Sequence, residues 1–154
     1  MSLKQIFNNT KLDFIKNNVL LLEIDDGCAL IADTIIEFII SAQNTELTIK
    51  NFIADKNFSY QEIIQLNKFG SLFDIKDFVV IKYQGSTKPT QEQVQELELL
   101  TQELTKIDRS IDKIIIVCEK FDYKQKKNKI YTGLTKILHS IIINGEYDDL
   151  SIWV

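Results

Sequence analysis

Five short apolar runs punctuate the chain: 19–24 (VLLLEI), 47–54 (LTIKNFIA), 78–83 (FVVIKY), 113–118 (KIIIVC) and 140–143 (SIII). Each is strand-length and rich in β-branched or aromatic residues, which predicts five strands. Between them the apolar residues change period. Ile31, Ile35, Phe38, Ile39 and Ala42 recur at helical spacing across 28–42, and 59–68 is amphipathic. Val94, Leu97, Leu100, Leu104 and Ile107 form one stripe across 90–107, and Tyr131, Leu134, Thr135 and Leu138 another across 128–139. Residues 2–14 read as one or two short helical pieces.

The helix starts carry their own signals. Thr90 with Gln93 and Ser59 with Glu62 each match a capping box, in which the hydroxyl and the side chain three residues on satisfy backbone N–H groups reciprocally. Asp25 or Asp26 is placed to cap the helix after the first strand, since a carboxylate accepts the N–H groups of a first turn. Short apolar strands alternating with helices predict a parallel sheet covered on both faces. The expected fold is a three-layer α/β sandwich with about five mainly parallel strands and right-handed crossovers.

Composition narrows the picture. At 154 residues with 45% apolar and 26% charged residues, the chain has the make-up of one globular domain. A net charge of −4 and a pI near 5.1 argue against a protein whose main task is gripping nucleic acid. Cys28 and Cys118 lie in apolar surroundings at a spacing that matches no metal site, which predicts reduced core thiols. The polar N-terminus has no signal-peptide pattern, and no apolar run reaches membrane-spanning length, so the expected location is the cytoplasm.

Catalytic chemistry is not written in the chain. In an open α/β sheet, the turn after the first strand is where a nucleotide would sit. Here that turn is Glu23-Ile24-Asp25-Asp26-Gly27-Cys28-Ala29, with one glycine, two adjacent aspartates and no lysine. A phosphate loop needs glycines for close backbone approach and a lysine to meet the phosphate charge. The Asp25-Asp26 pair could hold Mg²⁺ as in a receiver domain, which would also need an acceptor aspartate ending the third strand. Ile81-Lys82-Tyr83-Gln84 has none. Helix capping is the preferred reading of the pair, with a nucleotide- or Mg²⁺-binding enzyme as the alternative. His139, the single histidine, falls at a predicted helix end without a catalytic partner nearby in sequence. No catalytic residue, cofactor or metal ligand is expected. Lys120, Lys124, Lys126, Lys127 and Lys129 form a basic run interrupted by Phe121 and Tyr123, either a solvated loop or a weak contact to nucleic acid or an acidic surface.

One feature remains. Phe69-Gly70-Ser71-Leu72-Phe73 stands between an amphipathic helix and the third strand. Two large apolar residues at such a junction are either core or a plug for a partner's pocket. An α/β nucleotide-type pattern without its phosphate loop, carrying Ser71-Leu72-Phe73 just before the third strand, resembles the N-terminal AAA+ module of the delta subunit of the bacterial DNA polymerase III clamp loader. The resemblance runs over nearly the whole chain and rests on the order of elements as well as on the Ser-Leu-Phe step. It implies a P-loop NTPase-like fold without a functional P-loop. It also implies a non-catalytic subunit that binds the beta sliding clamp and favours its open form for loading onto primed DNA, while other loader subunits use ATP. By position, Leu72 and Phe73 would enter the clamp's hydrophobic pocket, flanked by Ser71. Family members can place a large apolar residue directly before the serine. This chain has Gly70 there, which leaves Phe69 as the substitute contact. The family's proteins continue into a lid and a collar that joins the other loader subunits. The expectation is therefore one clamp-binding domain over 1–150, with 151–154 (SIWV) starting a lid domain.

Overall fold

The computed structural model describes residues 8, 18–25, 27–42, 46–69, 75–106, 110–122 and 124–143. In chain order the elements are β1 (Val19–Ile24), α1 (Ala29–Ser41), β2 (Leu47–Ala54), α2 (Gln61–Phe69), β3 (Lys76–Tyr83), α3 (Gln91–Glu103), β4 (Ile111–Glu119), α4 (Lys129–Ile137) and β5 (His139–Ile143). The five strands form one sheet in the order β2-β3-β4-β1-β5, and every pairing is parallel.

This order follows from how each crossover is covered. The step from β1 to β2 passes over β4 and β3 in one direction, while all later steps run the opposite way. Right-handed crossovers therefore put α1 on one face and α2, α3 and α4 on the other. The two cores agree with that layering. Ala32, Ile35, Ile36 and Ile39 of α1 pack on Leu20, Leu22, Phe78, Val80, Ile115 and Val117. Ile63, Val94, Leu97, Leu100 and Leu134 of the other helices pack on Val19, Leu21, Val79, Ile81, Ile114 and Ile116. Odd and even residues of β1 thus feed different cores, as the two-residue period of a strand requires. The central strands are buried on both faces, which explains their unbroken apolar runs.

The sandwich and its five strands stand as expected, with small extensions of β3 and β4 and with His139 opening β5 rather than ending a helix. Cys28 and Cys118 are buried thiols, neither joined in a disulfide, one in each core. Among the described residues, no helix is long and apolar enough to cross a membrane. Residues 2–14 apart from Asn8, and 144–154, lie outside the described residues.

Two helix starts differ from the sequence reading. The N-cap of α1 is Cys28, with no side-chain cap hydrogen bond, rather than an aspartate. Gly27 adopts φ +79, a left-handed turn conformation open to glycine, and this turn delivers the chain to Cys28. Helix α2 begins at Gln61, so Ser59 and Glu62 do not form the expected box. The Ser59 hydroxyl accepts from the Gln61 N–H and donates to Glu96 of α3, whose other oxygen accepts from the Tyr60 N–H. The cap is shared: Ser59 serves the Gln61 N–H locally, and a neighbouring helix serves the Tyr60 N–H in place of Glu62. The Thr90–Gln93 box is present in full.

Candidate functional site

Two ends of the parallel sheet carry the sequence-predicted features. At the carboxyl end, β1 and β4 are neighbours whose following helices lie on opposite faces. That is the topological switch point where open α/β sheets take ligands. The β1 turn meets the neighbouring strands there through its backbone. The Asp25 N–H donates to the Ile143 carbonyl at 2.8 Å, the Cys28 N–H to the Asp25 carbonyl at 3.0 Å, and the Lys120 N–H to the Ile24 carbonyl at 2.8 Å. A phosphate cradle uses such N–H groups for its ligand; here those of Asp25 and Cys28 are engaged within the protein. Asp25 is half-buried, and Asp26 lies outside the described residues. Among the described residues, no three His, Cys, Asp or Glu side chains gather in a group that could hold a metal ion.

Behind the turn stands a group that the sequence reading passed over. Glu23, the fifth residue of β1, is fully buried. Its carboxylate accepts from the Phe121 N–H at 3.3 Å, from the Tyr131 hydroxyl at 3.4 Å and from the Ser140 hydroxyl. One side chain thereby joins β1 to the chain after β4, to α4 and to β5. Burial, and then the Glu23 charge, raise the Tyr131 phenol above its ordinary pKa. The signal in the sequence was a single carboxylate inside an otherwise apolar strand, since buried charges are retained where donors surround them.

A second polar junction lies at the same end. Gln93 is buried, and its amide is fully used. Its Nε2 donates to the Asp55 and Phe58 carbonyls, at 2.8 and 2.9 Å. Its Oε1 accepts from the Tyr83 hydroxyl at 2.8 Å and the Thr90 N–H at 3.0 Å. With the Tyr83 proton committed to Gln93, Tyr60 donates to Tyr83 across 2.9 Å. The glutamine of the α3 capping box therefore also fixes the β2–α2 loop and the end of β3.

The basic run leaves β4 on this same edge. Residues 125–127 form a 3₁₀ turn, locked by reciprocal bonds between the Asp122 N–H and Gln125 Oε1 and between the Gln125 N–H and Asp122 Oδ1. Asn128 caps α4, accepting from the Ile130 N–H. Phe121 is buried, its ring centroid 4.9 Å from that of Tyr131. Tyr123 lies outside the described residues.

At the amino end, Phe69 closes α2, and Ile75 is the half-buried residue before β3. Gly70, Ser71, Leu72 and Phe73 lie outside the described residues, as does the Phe69 side chain. Asn67, buried in the last turns of α2, accepts from the Ser110 and Ile111 N–H groups, each at 3.1 Å. The Asp77 N–H donates to the Ser110 carbonyl at 2.9 Å. Asn67 and Asp77, which flank residues 70–74 in sequence, are thus both tied to the first residues of β4.

Depressions also flank the edge strand β2. One of about 330 Å³ lies between α1 and the sheet, floored by Ile36, Ile40, Ile49 and Val80, with the Asp33–Lys82 ion pair in its wall. Another of about 460 Å³ is lined by Lys50, Phe52, Glu62, Gln65 and Leu66. The chain matches no protein-family model and no curated protein.

Proposed function

We propose that this chain is a non-catalytic clamp-binding module of the delta type, acting in DNA replication as part of a clamp loader. In this reading it docks on the bacterial beta sliding clamp and helps open it, without hydrolysing ATP. The observation that supports this reading is at the flanks of the Ser-Leu-Phe step: Asn67 before it and Asp77 after it are both bonded to Ser110–Ile111. Fixed flanking residues lower the ordering cost of docking a short segment between them. The engaged N–H groups of the β1 turn support the second half of the reading, a nucleotide-type fold put to protein handling. Leu72 and Phe73 are the two anchors, Ser71 and Gly70 let the chain approach the pocket, and Phe69 supplies the third apolar contact.

Titration of the chain against a purified bacterial beta clamp tests the assignment. Each anchor is worth about 1.5–3 kcal/mol when fully buried, so Leu72→Ala or Phe73→Ala should weaken binding by roughly 10- to 150-fold. Unchanged affinity in both variants removes the site assignment, and no binding by the wild type removes the function. The competing enzyme reading predicts micromolar binding of ATP–Mg²⁺ lost in Asp25→Ala. Calorimetry with ATP and Mg²⁺ is expected to show no heat of binding.

A further inference from the structure

Strand β2 is an edge of the sheet, and among the described residues it pairs with β3 alone. The Ala54 carbonyl accepts from the Gln84 N–H, so it points inward, toward β3. In a strand paired in parallel, the N–H and C=O of one residue point to the same side and those of the next residue to the other. The backbone groups of Ile49, Asn51 and Ile53 therefore point outward, away from the sheet. Such a row is a template for another strand, and edges are ordinarily blunted by charge, proline or a bulge. Here eight residues hold one lysine and no proline, and the β2–β3 register runs unbroken. The side chains along this edge are also apolar. Ile53 is 70% exposed and Ile49 37%. Ile49 and Asn51 line the depression beside α1, and Ile53 shares their face by the two-residue period. Helix α1 packs on β1, β3 and β4 and leaves that face of β2 open.

We infer that this edge is an interface between two copies of the chain, with β2 pairing antiparallel to β2 of a second copy about a two-fold axis at Asn51. The register follows from self-complementarity. A two-fold axis normal to the sheet keeps each face on its own side, so it passes through a residue of β2 rather than between two. An axis through Lys50 would set two lysines directly opposite each other, a destabilising pair. An axis through Ile49 or Phe52 leaves Ile53 without an apolar residue opposite. An axis through Asn51 sets Ile49 against Ile53 of the second copy and Ile53 against its Ile49, with the two Asn51 amides facing each other. The most exposed apolar side chains of the edge then cover one another. On the opposite face Lys50 comes against Phe52 of the second copy and beside its Glu62, because Lys50, Phe52 and Glu62 line one depression in each chain. The charges are complementary, and symmetry makes each of these contacts twice. Both copies use the same edge, so the contact closes at two and does not propagate. The product is one sheet of ten strands, five from each copy.

Sedimentation equilibrium of the chain over a range of concentrations, with no other protein present, tests the inference separately from clamp docking. The mass is expected to rise from 17.9 kDa toward twice that value, with a Kd of micromolar order, as befits a small interface. Ile53→Lys sets a charge against Ile49 of the second copy at both pairs and should weaken the dimer by about 100-fold. The position is exposed, so the variant should keep the wild-type circular dichroism spectrum. Lys50→Glu should weaken the dimer about tenfold, and Glu62→Lys added to it should restore the dimer. Asn51→Cys should form a disulfide-linked dimer under mild oxidation, since Cα atoms in a hydrogen-bonded antiparallel pair stand about 5.5 Å apart. Lys50→Cys, which faces Phe52 of the second copy, should not. Five results overturn the inference: a mass of one chain at every concentration, a dimer that Ile53→Lys leaves unchanged, a charge swap that restores nothing, cross-linking through position 50 in preference to 51, or growth beyond two copies.

Discussion

Glu23 shows how much one buried side chain does in this molecule. A carboxylate offers only acceptors, and it meets three donors, from Phe121, Tyr131 and Ser140. Glu23→Gln would turn an amide donor toward one of them and is expected to cost about 1–3 kcal/mol in urea unfolding. Glu23→Ala, which strands all three donors, should cost more. The carboxyl end of the sheet also holds weakly acidic groups that resist ionisation. Burial pushes the Cys118 thiol up to about 12 and raises the Tyr60 and Tyr83 phenols above their ordinary range. In the unfolded chain these groups release protons near pH 9 and 10. Above those values the folded chain keeps protons that the unfolded chain has lost, so stability falls as pH rises, by about 1.4 kcal/mol per unit for each group. Unfolding measured from pH 7 to 11 should show little slope from these groups below pH 8.5 and a steep decline above pH 10. Cys118→Ala should flatten the decline between pH 9 and 11 by one proton's worth.

At the scale of elements, two adjacent helices start by different means. Helix α3 carries its own cap, and the Thr90–Gln93 box needs only residues within one turn. Helix α2 borrows one: Glu96, projecting from α3, accepts from the Tyr60 N–H and the Ser59 hydroxyl. Thr90→Ala should therefore cost about 1 kcal/mol by loss of a local cap. Glu96→Ala, at a half-buried position of α3, should cost a comparable amount by loosening α2 instead. Hydrogen exchange distinguishes the two, with faster exchange in the first turn of α3 for the former and at Tyr60–Gln61 for the latter. The capping box at 90–93 was legible because its partners are three residues apart. The partners Ser59 and Glu96 are 37 residues apart, and no local pattern reports such a pair. The same distinction applies to Gln93, whose capping role was visible but whose bonds to Asp55, Phe58 and Tyr83 were not.

At the scale of the whole molecule, a parallel sheet separates two ends with different characters. The amino end holds the last turn of α2 and the start of β3, both tied to the first residues of β4, and the carboxyl end holds the switch point and the two buried polar junctions.

The sequence by itself determined the five described strands, the four helices between them and the layered α/β class. These depend on the two-residue and 3.6-residue apolar periods, which are local and survive without knowledge of neighbours. It also determined that Cys28 and Cys118 belong to cores, since both sit beside apolar runs. The order β2-β3-β4-β1-β5 was decided only by the tertiary structure, because five apolar runs can pair in many ways and only the folded sheet places β4 between β3 and β1. So were the donors around Glu23, the Glu96 cap of α2 and the inward turn of Phe121. Each is a contact between residues far apart in the chain, brought to bonding distance when the crossovers pack their helices onto the sheet.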